Sequence, residues 1–253
     1  MAPWCLITGA SSGIGLELAR VFAADGWNVA LAARDAARLQ AAANELEKAH
    51  RVATRVLPVD LSLPNAARGL FEASAGIEVS ALVNNAGFGK HGLFADMDLA
   101  ESEGMVLVNI MALMQLSRLF LPGMLQRRRG MILNVGSVAA FQPGPTMNVY
   151  YATKAFVYSF SCALAAELEG SGVTVTVLNP GTTRTSFFNR AGVHMSRPLP
   201  LSDPRTVARA GYLAAMRGKR SVTPGFMNRL VSLVSPVLPS RLTAGIVARI
   251  HRR

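Results

Sequence analysis

The chain has only two cysteines in 253 residues, Cys5 and Cys162, far apart and in no C-x-x-C pattern. That scarcity excludes a disulfide framework and a cysteine-based metal site, and it fits a reducing compartment such as the cytoplasm. Histidine is nearly as sparse. His50, His91, His194 and His251 have no metal-ligand spacing, so zinc is unsupported, and the lack of a G-x-S-x-G elbow leaves a serine hydrolase unsupported as well. No run of about 18 apolar residues stands out, so no segment is expected to span a bilayer. The opening Met-Ala-Pro-Trp-Cys-Leu-Ile-Thr-Gly lacks a basic leader region and reads as a first strand rather than a signal peptide. The 22 Gly and 13 Pro show no period, and 51% hydrophobic residues exclude disorder.

Acidic residues almost vanish from the C-terminal part. Residues 1–181 carry 13 Lys+Arg against 14 Asp+Glu, whereas residues 182–253 carry 13 against Asp203 alone, so the whole formal charge of +11 sits at that end. These cations, all but one of them Arg, are scattered among Phe, Leu, Val and Pro. No helix-turn-helix, RNA-binding aromatic signature or zinc-finger spacing accompanies them, so nucleic acid is not an expected partner. Two readings stay open: a solvated basic face, or attraction of an acidic substrate, an acyl carrier or a membrane surface.

What the chain does have is alternation. Residues 4–8 form a short apolar run that ends in a Gly/Ser cluster, Gly9 to Gly15, before a helical pattern through Leu18, Val21 and Phe22. Strands are then expected at 28–33, 54–59, 81–84, 131–135, 173–178 and 221–223, with helices at about 35–50, 99–126, 149–168 and 204–217. Such alternation implies parallel strands with crossover helices. The expected fold is a single doubly wound α/β Rossmann domain over 1–253, with a parallel sheet of about seven strands and helices on both faces. The stretch 182–201, with Pro198 and Pro200 and no period, reads as an insertion that covers a site. Residues 224–253 read as a basic, apolar tail. Phe226, Met227, Leu230, Val231, Leu233 and Val234 recur there at near-helical spacing, and Leu242, Ile246, Val247 and Ile250 mark a second stripe beside Arg241, Arg249, Arg252 and Arg253. These stripes either pack on the substrate side of the domain or a second subunit, or dock on an anionic membrane or acyl carrier.

The turn after the first strand reads Thr8-Gly9-Ala10-Ser11-Ser12-Gly13-Ile14-Gly15. It places glycines where the backbone must turn tightly and approach a pyrophosphate, while the helix that follows offers N–H donors to phosphate. The T-G-x-x-x-G-x-G spacing is joined downstream by Asn84-Asn85-Ala86-Gly87, by Tyr150-x-x-x-Lys154 and by Pro180-Gly181. In this order the motifs resemble those of the classical short-chain dehydrogenase/reductase family over roughly residues 4–185. The resemblance implies an oxidoreductase with a nicotinamide cofactor held by Gly9, Ser11, Ser12, Gly13, Ile14 and Gly15. It also implies that Asp60 hydrogen-bonds the adenine, that Asn85 and Gly87 line its ribose side, that Pro180 to Thr185, with Gly181, meet the nicotinamide amide, and that the protein is a homo-oligomer. Where similar NAD-dependent enzymes carry Asp, this chain has Ala33, followed by Arg34, whose guanidinium can pair with a 2′-phosphate. NADP is therefore expected rather than NAD, with Asp35 capping the next helix.

Reducing a ketone by hydride requires a proton donor at the carbonyl oxygen. Tyr150 can serve if a positive neighbour lowers its pKa from about 10. Lys154, four residues on, shares its helix face, whereas the same step from Tyr151 reaches Ala155. By resemblance Ser137 hydrogen-bonds the substrate oxygen and Asn109 holds a water in a relay to Lys154, completing the family's tetrad. The expected pocket wall is Val138 to Pro143 with Phe141, then Phe187, Phe188 and Met195, mostly apolar. His91 either touches substrate or is an exposed loop histidine. The expected activity is hydride transfer between NADP(H) and a carbonyl or secondary alcohol on an apolar body. The alternatives are a catalytically silent NADP(H)-binding regulator and a reductase of acyl or lipid-like substrates at a membrane surface.

Overall fold

Strand residues two apart share a face of a sheet, and in this chain both faces are apolar. In the computed structural model, which describes residues 2–192 and 201–251, β1 (Trp4–Thr8) turns Cys5 and Ile7 to one hydrophobic layer and Leu6 to the other. β2 (Asn28–Ala33) does the same with Val29 and Leu31 against Ala30 and Ala32. Runs that are apolar at every position are what a sheet covered on both sides requires. With β3 (Thr54–Pro58), β4 (Val79–Asn84), β5 (Gly130–Val135), β6 (Val173–Leu178) and β7 (Ser221–Val222) they form a seven-stranded parallel sheet in the order β3-β2-β1-β4-β5-β6-β7.

The helices in chain order are α1 (Gly13–Ala24), α2 (Ala36–His50), α3 (Ala66–Ala73), α4 (Leu99–Val106), α5 (Leu113–Gln126), α6 (Asn148–Glu167), α7 (Phe187–Ala191), α8 (Pro204–Met216), α9 (Phe226–Val234) and α10 (Ser240–His251). One layer packs Leu18 and Phe22 of α1, Leu39 and Leu46 of α2 and Val207 and Tyr212 of α8; the other packs Leu70 of α3, Leu116 and Phe120 of α5 and Leu164 of α6. Phe22 meets Trp27 and Tyr212 edge-on at 5.3 and 4.8 Å between ring centroids, a geometry worth about 0.5–1.5 kcal/mol beyond its burial. Helix starts follow local chemistry. Asp35 accepts from Arg38 N at 3.0 Å, as expected, and Asp98 and Asp203 cap α4 and α8 in the same way, each cap contributing about 1 kcal/mol.

The helix expected over 99–126 is continuous but changes pitch, because Leu107–Ala112 between α4 and α5 is a π-helical segment. By length and composition this helix could cross a membrane, contrary to the expectation that no segment could. Here it lies against the sheet, with Leu113, Leu116, Phe120 and Met124 buried and the polar Asn109 and Ser117 carried into the interior. Polar groups also close the core at the strand ends: Asn84 donates to Asn134 at 2.9 Å, and Asn134 donates to Ser161 at 2.9 Å.

Strand order reverses at β1, which pairs with β2 on one side and β4 on the other. A doubly wound sheet binds its ligand in the crevice outside the strand ends at such a switch point. The Gly/Ser turn after β1 and the Asn-Ala-Gly turn after β4 meet there.

Candidate active site

A cleft of about 1150 Å³ runs along these strand ends, from Arg34, Arg38 and Asp60, past Gly9 to Ile14, to Ser137, Tyr150 and Lys154. Sequence positions more than a hundred residues apart thus line one continuous wall.

At its first end, Gly9 and Gly13 have φ of +67° and +59°, a conformation open to glycine at little cost. The α1 N-terminus carries no side-chain cap and no acidic residue in its first turn, and Ser12, Gly13 and Ile14 there line the cleft, so the positive dipole end borders it. Thr185 packs on this turn, since a Cβ on Gly13 would lie 3.1 Å from Thr185 Cγ2. Pro180, Gly181, Thr182 and Thr183 line the cleft together with Thr185. Asn85 lines the cleft, but its amide is spent on Thr8 O and Gly9 O at 2.8 and 3.2 Å, tying the two turns together. Arg34 stands 73% exposed, with Nη1 4.0 Å from Asp60 Oδ2. Burial works against ionisation of Asp60, but hydrogen bonds from the Ser62 hydroxyl and N–H, with the charge of Arg34, outweigh it and hold the carboxyl below its usual range. Arg38 is a second guanidinium here that sequence reasoning missed; its signal was a basic residue one helical turn after Arg34.

At the other end, Ser137 begins the 3₁₀ turn Val138–Phe141 and accepts from Ala139 N at 3.1 Å. Tyr150, in the first turn of α6, hydrogen-bonds with Ser137. Lys154 Nζ lies 5.8 Å from the Tyr150 ring centroid and donates to Val135 O at 2.8 Å. Burial dominates both groups. It pushes the phenol up to about 12, only partly offset by the Ser137 bond, and the ammonium down to about 8. The expected lowering of Tyr150 by its lysine is therefore not found, because burial penalises each charged form and Nζ is anchored on a neutral carbonyl.

Asn109 sits in the π-helical segment, a feature common at functional sites. Its Oδ1 accepts from Phe88 N at 3.0 Å, while Nδ2 donates to Phe88 O at 2.9 Å and Thr153 Oγ1 at 3.0 Å. The carboxamide thus clamps the turn after β4. Gly87 keeps the space between Asn109 and Lys154 clear of side-chain atoms: a Cβ there would stand 3.0 Å from Asn109 Oδ1 and 3.5 Å from Lys154 Nζ.

The wall is mostly apolar. Phe187 tilts over Tyr150 at 5.2 Å and meets Phe188 at 5.4 Å. Gly89, unpredicted, lies under the same ring, where a Cβ would approach Phe187 Cζ to 2.9 Å and Tyr150 Cδ2 to 3.0 Å. Phe141 is a correction. Its ring packs edge-on against Tyr158 of α6 at 4.8 Å, away from the cleft, which Val138, Ala139 and Gln142 line instead. His91 is half-buried rather than an exposed loop residue, with its N–H bonded to Ala191 O at 2.9 Å. The insertion is pinned at its neck by pairing of Thr182 to Arg184 with Ser202. Met195, His194, Arg197, Pro198 and Pro200, like Arg252 and Arg253, lie outside the described residues. Met227, Asn228, Val231, Val247 and Ile250 bring the tail into the wall, and Gly181 has no room for a side chain against Asn228. No cluster of metal-ligating side chains occurs among the described residues.

A family model described as short chain dehydrogenase matches residues 3–195. The chain is 39% identical over 181 residues to a very-long-chain 3-oxoacyl-CoA reductase of Laccaria bicolor, covering 70% of this chain and 53% of that protein. It is 35% identical over 197 residues to the 17-beta-hydroxysteroid dehydrogenase type 3 of Mus musculus, covering 75% and 64%. The matches thus span about half to two thirds of these relatives' length. A solved short-chain dehydrogenase from Sphingobium yanoikuyae, in complex with NADPH, superposes with a TM-score of 0.85 at 32% identity over 99% of this chain and 97% of that one.

Proposed function

The chain belongs to the short-chain dehydrogenase/reductase family, and from that premise we propose that it reduces a keto group, or oxidises the matching secondary alcohol, on a large apolar substrate with NADP(H). The observation that carries this reading is one cleft holding Arg34 and Arg38 at one end and Ser137, Tyr150 and Lys154 beneath apolar walls at the other. The glycine turn, the uncapped α1 N-terminus and the clear space at Gly87 fit a dinucleotide, with the guanidiniums at the 2′-phosphate and Pro180 to Thr185 beside the nicotinamide. When bound, the nicotinamide supplies or takes the hydride. Tyr150, protonated at neutral pH, gives its Oη proton to the substrate oxygen, and Ser137 orients that oxygen by a hydrogen bond. Lys154 retains most of its charge below a pKa of about 8 and places it under the Tyr150 ring. Asn109 acts through Phe88, fixing the turn that borders the lysine. Phe187 and Phe188, which follow the Thr182–Arg184 neck, wall the substrate end of the cleft.

The cleft volume and its Phe187, Phe188, Met227 and Val231 lining favour a long acyl chain or a fused-ring body over a short polar ketone. The names of the relatives, a 3-oxoacyl-CoA reductase and a hydroxysteroid dehydrogenase, point to the same two classes. The test is a panel of 3-oxoacyl thioesters of increasing length, ketosteroids and aromatic ketones, assayed with NADPH and NADH by nicotinamide absorbance. Turnover is expected with NADPH and to improve with apolar bulk. NADPH binding without turnover on any of them would leave a silent cofactor-binding regulator.

A further inference from the structure

We propose that the outer faces of α9, the turn Ser235–Val237 and α10 are a docking surface for an anionic lipid bilayer, placed so that the mouth of the cleft opens toward the lipid. A surface helix of a folded domain ordinarily buries an apolar stripe, yet no residue of α9 is fully buried. Phe226, Leu233 and Val237 are 80%, 73% and 80% exposed. On α10, Thr243 and Val247 turn inward, while Leu242 and Ile246, four residues apart and therefore on one face, stay exposed. Single exposed apolar side chains need no explanation, whereas a run of them on adjoining elements marks an interaction site.

Charge selects the occupant. Between Pro224 and Arg253 the chain has five arginines and no acid. A second copy would bring two such basic faces together, while anionic headgroups neutralise them. The projecting groups are Phe, Leu and Val tips, which a fluid acyl layer accepts and the folded polar surface of an acidic carrier protein does not. The same two helices flank the cleft through Val231 and Val247, and Met227 lines the cleft while remaining 61% exposed. An apolar substrate can thus pass from lipid to Tyr150 without crossing water; this last point rests on the reductase reading, but the docking itself does not.

The experiment is sedimentation of the full chain with vesicles of phosphatidylglycerol or of phosphatidylcholine, which involves no turnover and so fails separately from the reductase reading. Binding is expected to phosphatidylglycerol at low salt, to weaken as salt rises, and to be absent from phosphatidylcholine. The triple variant Phe226→Ser/Leu233→Ser/Val237→Ser, checked for an unchanged thermal midpoint, should bind at least about tenfold more weakly, as should the single variant Arg241→Glu, which leaves the apolar face intact. Wild-type protein that stays in the supernatant, equal binding to both vesicle types, or unchanged binding by both variants would overturn the proposal. So would a dimer without vesicles that the triple variant dissolves, since the face would then be a subunit interface.

Discussion

Replacing Lys154 by Met should abolish the proposed reductase activity and remove a specific pH dependence from the protein's stability. The lysine is buried, and burial lowers its pKa from 10.5 to about 8. Between those values the unfolded chain holds a proton on this side chain that the folded chain does not, so the stability of the wild type rises with pH across that window. The gap corresponds to about 3 kcal/mol at about 1.4 kcal/mol per pH decade, fully present above 10.5 and lost as pH falls through 8. In Lys154→Met the contribution is absent at every pH. Near neutrality the variant escapes the cost of a buried charge but leaves Val135 O without its 2.8 Å donor, an offset of about 1–3 kcal/mol. The absolute difference at neutral pH is therefore small. The decisive quantity is the change in that difference: wild type minus variant should grow by about 3 kcal/mol from neutral pH to above 10.5. Urea denaturation of both proteins across this range measures it, and titrations common to both cancel in the subtraction. Parallel stability curves would show that Lys154 titrates normally and would refute the account of the site as a place where burial is tolerated for function.

Tyr150→Phe should retain NADPH binding and the ring contact with Phe187 while kcat falls about 10²- to 10⁴-fold; Tyr151→Phe should be mild, and the reverse result would place the proton donor wrongly. Arg34→Ala should weaken NADPH by about 1.5 kcal/mol, the low end for a charge-assisted bond because the side chain is 73% exposed, and leave NADH nearly unchanged. Equal losses for both cofactors in titration calorimetry would remove Arg34 from the 2′-phosphate. Gly89→Ala should cut kcat more than NADPH affinity, because its Cβ would meet Tyr150 Cδ2 at 3.0 Å and Phe187 Cζ at 2.9 Å; unchanged kinetics would mean the Tyr150 ring has slack.

Much of the scaffold could be read from the chain because it rests on short-range regularities. β1, β2 and β6 begin and end where their apolar runs do, Asp35 caps α2 as its position suggests, and the four motifs meet at the switch point between β1 and β4. Each of these follows from side-chain alternation, turn chemistry or a fixed spacing. Helix α3 and the short α7 were not legible, being too brief to show a period over the noise of their composition. At the site, identities were readable and environments were not. Which way Phe141 faces depends on its packing against Tyr158 of α6, and the π-helical insertion that sets Asn109 against Phe88 leaves no mark in residue type.

The sequence by itself determined the order of the strands and of the longer helices, the glycine turn, the Tyr150–Lys154 pair and the concentration of positive charge after residue 181, since all of these are properties of neighbours along the chain. Only the tertiary structure decided what those residues experience. Burial, set by elements distant in sequence, moved Tyr150 and Lys154 away from their ordinary proton affinities. Packing turned Val231 and Val247 toward the cleft and left Phe226, Leu233 and Ile246 outside, a division between faces that a stripe of apolar letters cannot contain because it exists only once the rest of the molecule occupies one side.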